Sequence, residues 1–277
     1  MQRTFSTPDP VSLFVELRSG DLTVLTAETD ETVVEVTVPH GDDDDVSVEQ
    51  RGDDISVVAR HGGRGGLFGA SRDQVHVRVT VPHDSRLLTK LGSADVRVEG
   101  RLGETTLKSG SGDISIDELG AKTFVETGSG DLEIGSTAGP LQVKCGSGQV
   151  TVERLGGAAQ ISTGSGDVLV GTAFEALSVK SGSGDLRVRE AAGDLSLTTA
   201  SGDLVVDRML HGALTAKNAS GDIVVRVPAG VPVWTDVSTV SGSVRSSLQG
   251  AGEPAEGQEF VELRARTVSG DISLEQL

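Results

Sequence analysis

Between Ser93 and Asp203 the chain repeats itself every 18 residues. Ser-Gly-Asp, or a near variant, begins at Ser93, Ser111, Ser129, Ser147, Ser165, Ser183 and Ser201. It recurs more loosely at Ser220, Ser241 and Ser269, and once early, at Ser19. A fixed short period means one structural unit stacked many times, so it limits the fold more than any other feature here. After Asp113 comes Ile114-Ser115-Ile116, apolar, polar, apolar, the period of a strand with one buried face. The same two places hold Leu132/Ile134, Val150/Val152, Val168/Val170, Leu186/Val188 and Leu204/Val206. A second strand closes each unit, with Val125, Val143, Ile161, Val179 and Leu197 facing inward.

Two such strands cannot bury their faces alone. Stacked at the usual interstrand spacing of about 4.8 Å, they share a continuous core. The expected fold is all-β: a single right-handed β-solenoid with about 18 residues per rung, its handedness taken from the parallel-crossover rule. Glycine at every sharp turn supplies the positive φ such a turn needs. Three columns follow. Ser109, Thr127, Cys145, Thr163, Ser181 and Thr199 face inward, where their side chains are expected to satisfy turn groups across rungs. Lys90, Lys108, Glu126, Lys144, Ser162, Lys180, Thr198 and Lys217 face outward. Asp95, Asp113, Asp131, Asp167, Asp185 and Asp203 form the third column, broken once by Gln149.

The rest of the chain is read as part of one domain, 1–277, with irregular rungs and a cap over 1–92, regular repeats over 93–222, and final rungs and a cap over 223–277. Val11–Leu17, Leu22–Thr26, Val33–Val38, Asp54–Ala59 and Val75–Val81 alternate as strands. Asp42–Asp45 reads as an acidic turn and Arg60–Arg72 as a Gly- and Arg-rich surface loop. Pro228, Pro232 and Trp234 loosen the period, and Gln249–Gln258 is a Gly/Glu/Pro-rich loop. Phe260–Thr267 and Ile272–Leu274 are the last strands.

The opening FSTPDPVSLFVELRSGDLTV, the serial Gly-Ser-Gly-Asp turns and the closing VELRARTVSGDISL resemble the β-strand-repeat family labelled "putative adhesins", a toast-rack group of unknown function. The chain is similar to the cytoplasmic-looking actinobacterial members of that group. The resemblance spans nearly the whole chain. It implies a β-solenoid, and it brings no catalytic residues.

The Asp column is the sharpest candidate site. Carboxylates about 4.8 Å apart repel by roughly 1 kcal/mol even in water. A Ca²⁺ ion between rungs would relieve this, with Asp113, Asp131, Asp167, Asp185 and Asp203 as ligands. The favoured alternative is that each carboxylate accepts hydrogen bonds from its own turn, so that no metal or other cofactor is needed. His40, His61, His76, His83 and His211 lie in no metal-ligand or nucleophile spacing. Cys145 stands in a structural column, and a lone cysteine allows no internal disulfide. Arg51-Gly52-Asp53 reads as a turn.

A net charge of −17 opposes nucleic acid and anionic membranes. With six Phe, one Trp and no Tyr, ring stacking on sugars is not expected. No signal peptide or long apolar span is visible, which leads to an expected cytoplasmic location. The expectation is therefore a non-enzymatic scaffold with a protein partner, a monomer or small closed homo-oligomer. Two alternatives are a self-assembling structural β-helix and a calcium-dependent surface adhesin.

Overall fold

The computed structural model describes residues 1–39, 46–59, 74–249 and 257–277. The acidic turn at Asp42–Asp45, the loop Arg60–Arg72, His40, His61 and most of the loop at 249–258 lie outside the described residues. Within them every regular element is a strand, and none is a helix long and apolar enough to cross a membrane. Two compact units make up the chain, Met1–Gly135 and Ser136–Leu277. The division falls inside a strand of the regular repeat, well after residue 92.

The first unit contains β1 (Gln2–Ser6), β2 (Ser12–Ala27), β3 (Glu31–Thr37), β4 (Val46–Arg51), β5 (Asp54–Ala59), β6 (Val75–Pro82), β7 (Arg86–Leu102), β8 (Thr105–Ser111), β9 (Ile114–Leu119), β10 (Thr123–Ser129) and most of β11 (Leu132–Thr137). β2 and β7 are each a whole rung, and they pair in parallel with Leu13 beside Leu87, Ser19 beside Ser93 and Leu22 beside Val96. The early Ser-Gly-Asp copy is thus one rung from the regular repeat, although Ser93 lies 74 positions after Ser19 in the chain. Within that stretch β3, β4, β5 and β6 fold back as a cap. β5 and β6 pair with the two halves of β2, then β4 adds antiparallel to β5, β3 to β6, and β1 to β3. Arg51-Gly52-Asp53 makes the tight connection between β4 and β5, with Gly52 at φ +62.

The second unit contains β12 (Leu141–Ser147), β13 (Val150–Leu155), β14 (Ala159–Ser165), β15 (Val168–Ala173), β16 (Leu177–Ser183), β17 (Leu186–Ala191), β18 (Leu195–Ser201), β19 (Leu204–Val206), β20 (Gly212–Ser220), β21 (Ile223–Val227), β22 (Val233–Ser241), β23 (Val244–Ser246), β24 (Val261–Ser269) and β25 (Ile272–Gln276). It is a parallel β-solenoid at 18 residues per rung, with Val143 beside Ile161, Ile161 beside Val179 and Val179 beside Leu197. These inner side chains are buried, as are their counterparts in the first unit. In-register apolar columns give each rung a neighbour's core to close against, which is why the repeat is stable only as a stack.

The last rungs are not in chain order. β24 pairs with β20 on one side and β22 on the other, and β25 lies likewise between β21 and β23. The C-terminal strands are inserted inside a rung that precedes them in sequence. Inner-face composition explains the order. Val261, Leu263, Ala265, Ile272 and Leu274 are fully apolar and buried. The β22 and β23 positions that match Leu263 and Leu274 are Thr235 and Ser246, which lose less by lying at an open end.

At Gly184 the backbone has φ +126, and an added Cβ would lie 2.4 Å from the Gly166 carbonyl oxygen of the rung before. Gly52 also has positive φ, with nothing within 4 Å of such a Cβ. Gly52→Ala is therefore expected to cost about 1 kcal/mol, the conformational penalty alone. Gly184→Ala adds a backbone collision and is expected to cost at least about 3 kcal/mol. Urea unfolding of the two variants against wild type checks this; equal losses would mean that inter-rung contact does not set the turn.

Candidate functional site

The aspartates are aligned within each unit, and their carboxylates face along the stack. In the first unit the Asp113 N–H donates to Asp95 Oδ1 at 2.9 Å, and the Asp131 N–H to Asp113 Oδ1 at 2.9 Å. In the second, Asp185 donates to Asp167 at 2.9 Å, and Asp203 to Asp185 and Asp222 to Asp203 at 2.8 Å each. The line continues through Asp271 onto Asp222 and ends where the Ser243 N–H meets Asp271 Oδ1, both at 2.8 Å. Each carboxylate thus binds the next rung's backbone, not its own turn.

The inward hydroxyls do the reverse of what their column suggests. Thr127 Oγ1 donates to the Ser129 carbonyl at 3.0 Å, Ser181 to Ser183 at 3.0 Å and Thr199 to Ser201 at 3.0 Å, each inside its own turn. Cys145 Sγ lies 3.4 Å from the Ser147 carbonyl and fills the same place. These side chains close the turn, and the aspartates join turn to turn. A charge-assisted N–H donor on each of these accepting carboxylates offsets the like-charge repulsion along the column. Among the described residues no group of three or more His, Cys, Asp or Glu side chains is arranged to hold a metal ion.

Asp271 sits below the usual carboxylate range, because it accepts the Ser243 N–H and Arg245 lies 3.5 Å away. A depressed folded-state value adds stability above the unfolded carboxyl's range, and that stability is lost as pH falls through the folded one. The histidines are dispersed. His76 Nδ1 meets Asp21 Oδ1, His83 Nδ1 lies 3.0 Å from Thr26 Oγ1, and His211 Nε2 is 3.8 Å from Glu259. Asp207 bridges Arg187 at 2.6 Å and Arg226 at 2.7 Å, and Arg226 continues to Glu275 at 2.7 Å. That chain of ion pairs ties rungs together across up to 49 residues of sequence.

The outer face of the first unit carries a groove of about 610 Å³. One wall is the column Glu16, Lys90, Lys108 and Glu126, neighbours on β2, β7, β8 and β10. The floor is Gly92, Gly110 and Gly128, where a Cβ would come within 2.4 to 2.7 Å of a carbonyl oxygen of the adjacent rung. Lys108 Nζ is 3.4 Å from Glu126 and stands over the Phe124 ring, while Lys90 Nζ stands over Phe14. The lysine column is visible in the sequence. Glu16, Arg18 and Phe14 join it only because β2 lies beside β7.

Asp185→Asn keeps an acceptor and removes one charge from the column, so it is expected to be neutral or slightly stabilising. Asp185→Ala leaves the Asp203 N–H without its partner and is expected to cost about 1 to 2 kcal/mol. Melting temperature should not change by more than about a degree or two between EDTA and excess calcium. A calcium-dependent rise that Asp185→Asn abolishes would establish a metal role for the column.

No curated protein sequence matches this chain. Solved structures similar to it include a "putative lipid binding protein" from Parabacteroides distasonis, 13% identical over 99% of this chain and 96% of that one, TM-score 0.48. Two more are "putative adhesins". One is from Bacteroides fragilis, 12% identical, covering 99% of this chain and 96% of that chain, with a TM-score of 0.34. The other, from P. distasonis, is 12% identical over 100% of this chain and 96% of its own, TM-score 0.31. The family model described as Toastrack DUF4097 matches residues 11–275, and with its stacked parallel rungs and aspartate turns this chain belongs to that family.

Proposed function

We propose that the chain is a non-enzymatic, adhesin-like binding scaffold and that it holds an extended segment of a partner protein in the groove of the first unit. The make-up of that groove carries the reading. It crosses several rungs, its glycine floor lets a strand-like segment approach the backbone, and Lys90 and Lys108 stand where acidic side chains of such a segment would lie. Glu16 and Glu126 at its ends select for a segment whose charge is confined to the middle. Stacked rungs keep these groups fixed, so little order has to be gained on binding.

Photo-crosslinking tests this directly. Thr106 lies between Leu88 and Phe124 on the same outer face, and Ser115 points outward from β9. A photoreactive residue at 106 is expected to capture a protein from the native host, and one at 115 to capture none. Lys90→Glu with Lys108→Glu should reduce that adduct at least tenfold in a protein that still melts cooperatively as a folded solenoid, at a somewhat lower temperature because the new side chains form a carboxylate row with Glu16 and Glu126. Equal capture from both positions, or an adduct indifferent to charge reversal, would overturn the groove as the binding site.

A further inference from the structure

The second unit has an unpaired edge among the described residues. Among the described residues β22 pairs only with β24, and β23 only with β25. Half of the N–H and C=O groups of a strand point to each side, so β22 presents an open row of both. The inner column is open as well. Val244 is 43% exposed, although its neighbour Ile272 is fully buried. The outer face departs from the repeat at the same place. The position before each turn's Ser is Gly146, Gly164, Gly182, Ala200 and Ala219 along β12, β14, β16, β18 and β20, but Val268 on β24 and Val240 on β22. Val240 is 82% exposed and Val268 is 55% exposed, and Trp234 at the other end of β22 is 51% exposed.

We infer that β22 is a homodimer interface, in which two copies of this chain pair antiparallel, edge to edge, about a two-fold axis at Val237. The inference goes beyond the groove reading and does not depend on it. That register sets Val237 against itself and Thr235 against Thr239 of the second copy on the inner face. On the outer face it sets Trp234 against Val240 of the second copy, twice by symmetry, with Val268 beside Val240 on the next strand. Asp236 then faces Ser238, and no like charges meet. Every exposed apolar side chain of the edge strand gains an apolar neighbour, and directly opposed residues in an antiparallel pair stand close enough to pack. The second copy is favoured over an unrelated strand because β22 complements itself at both ends under one operation. In the first unit the outer strands among the described residues, β1 and β4, are short, antiparallel to their neighbours, and present the charged Arg3, Glu49 and Arg51 to solvent. A strand that pairs with itself about a two-fold axis uses up its edge, which gives a closed dimer and no filament.

Sedimentation equilibrium of the full chain over a hundredfold concentration range is the test. A species of twice the 28.5 kDa protomer mass is expected. Trp234→Thr with Val240→Lys should weaken it at least tenfold and leave the circular dichroism spectrum that of the folded β-solenoid. Register is read separately in a Cys145→Ser background. Trp234→Cys with Val240→Cys should oxidise to a disulfide-linked dimer, whereas Ser238→Cys with Val240→Cys should not. A monomer at all concentrations, a dimer untouched by the first pair, equal crosslinking by both cysteine pairs, or growth into filaments would each overturn the inference.

Discussion

The structure depends on contact between the backbone of one turn and the backbone of the next. At each Ser-Gly-Asp turn the glycine passes so close to the neighbouring rung that no side chain fits, and the following N–H reaches the neighbour's aspartate at 2.8 to 2.9 Å. This couples register to turn chemistry. A rung displaced by one residue would bury its polar side chains and leave the carboxylate without its donor. A column of like charges therefore persists, because each member holds the next rung in place.

That coupling also separates structural positions from those free to do something else. Inner columns and turns are occupied by packing and hydrogen bonds, so partners can be read only by outward side chains. Over much of the regular repeat these are small or polar. Among the described residues, apart from the lone exposed Phe174, they change character in two places. In the first unit, Phe14, Leu88 and Phe124 join Lys90 and Lys108 beside a glycine floor. In the second, Trp234, Val240 and Val268 appear on the last two rungs. A repeat maintained by stacking is most informative where its outer face stops repeating.

The ends are treated differently for a physical reason. A parallel stack must stop somewhere, and an unpaired parallel strand invites another. In the first unit the chain solves this by reversing direction, so that β3, β1 and β4 run antiparallel and finish in short, polar strands. In the second it withdraws its most apolar late strands inside the stack and leaves β22, with Thr235 and Thr239 on its inner face, at the margin.

The solenoid and its inner columns were legible in the sequence because the 18-residue period and the alternation of apolar residues are local signals. Ile114 and Ile116, or Val125 and Thr127, declare their faces without reference to distant chain. The aspartate column was legible for the same reason, but the destination of each hydrogen bond was not. Whether a carboxylate meets its own turn or the next depends on where stacking places that N–H. Three further features were decided only by tertiary structure: the return of Ser93 beside Ser19, the insertion of β24 between β20 and β22, and the groove that joins Glu16 to Lys90. Each brings together residues far apart in sequence, and the burial energy of whole rungs selects these pairings where no short-range pattern does.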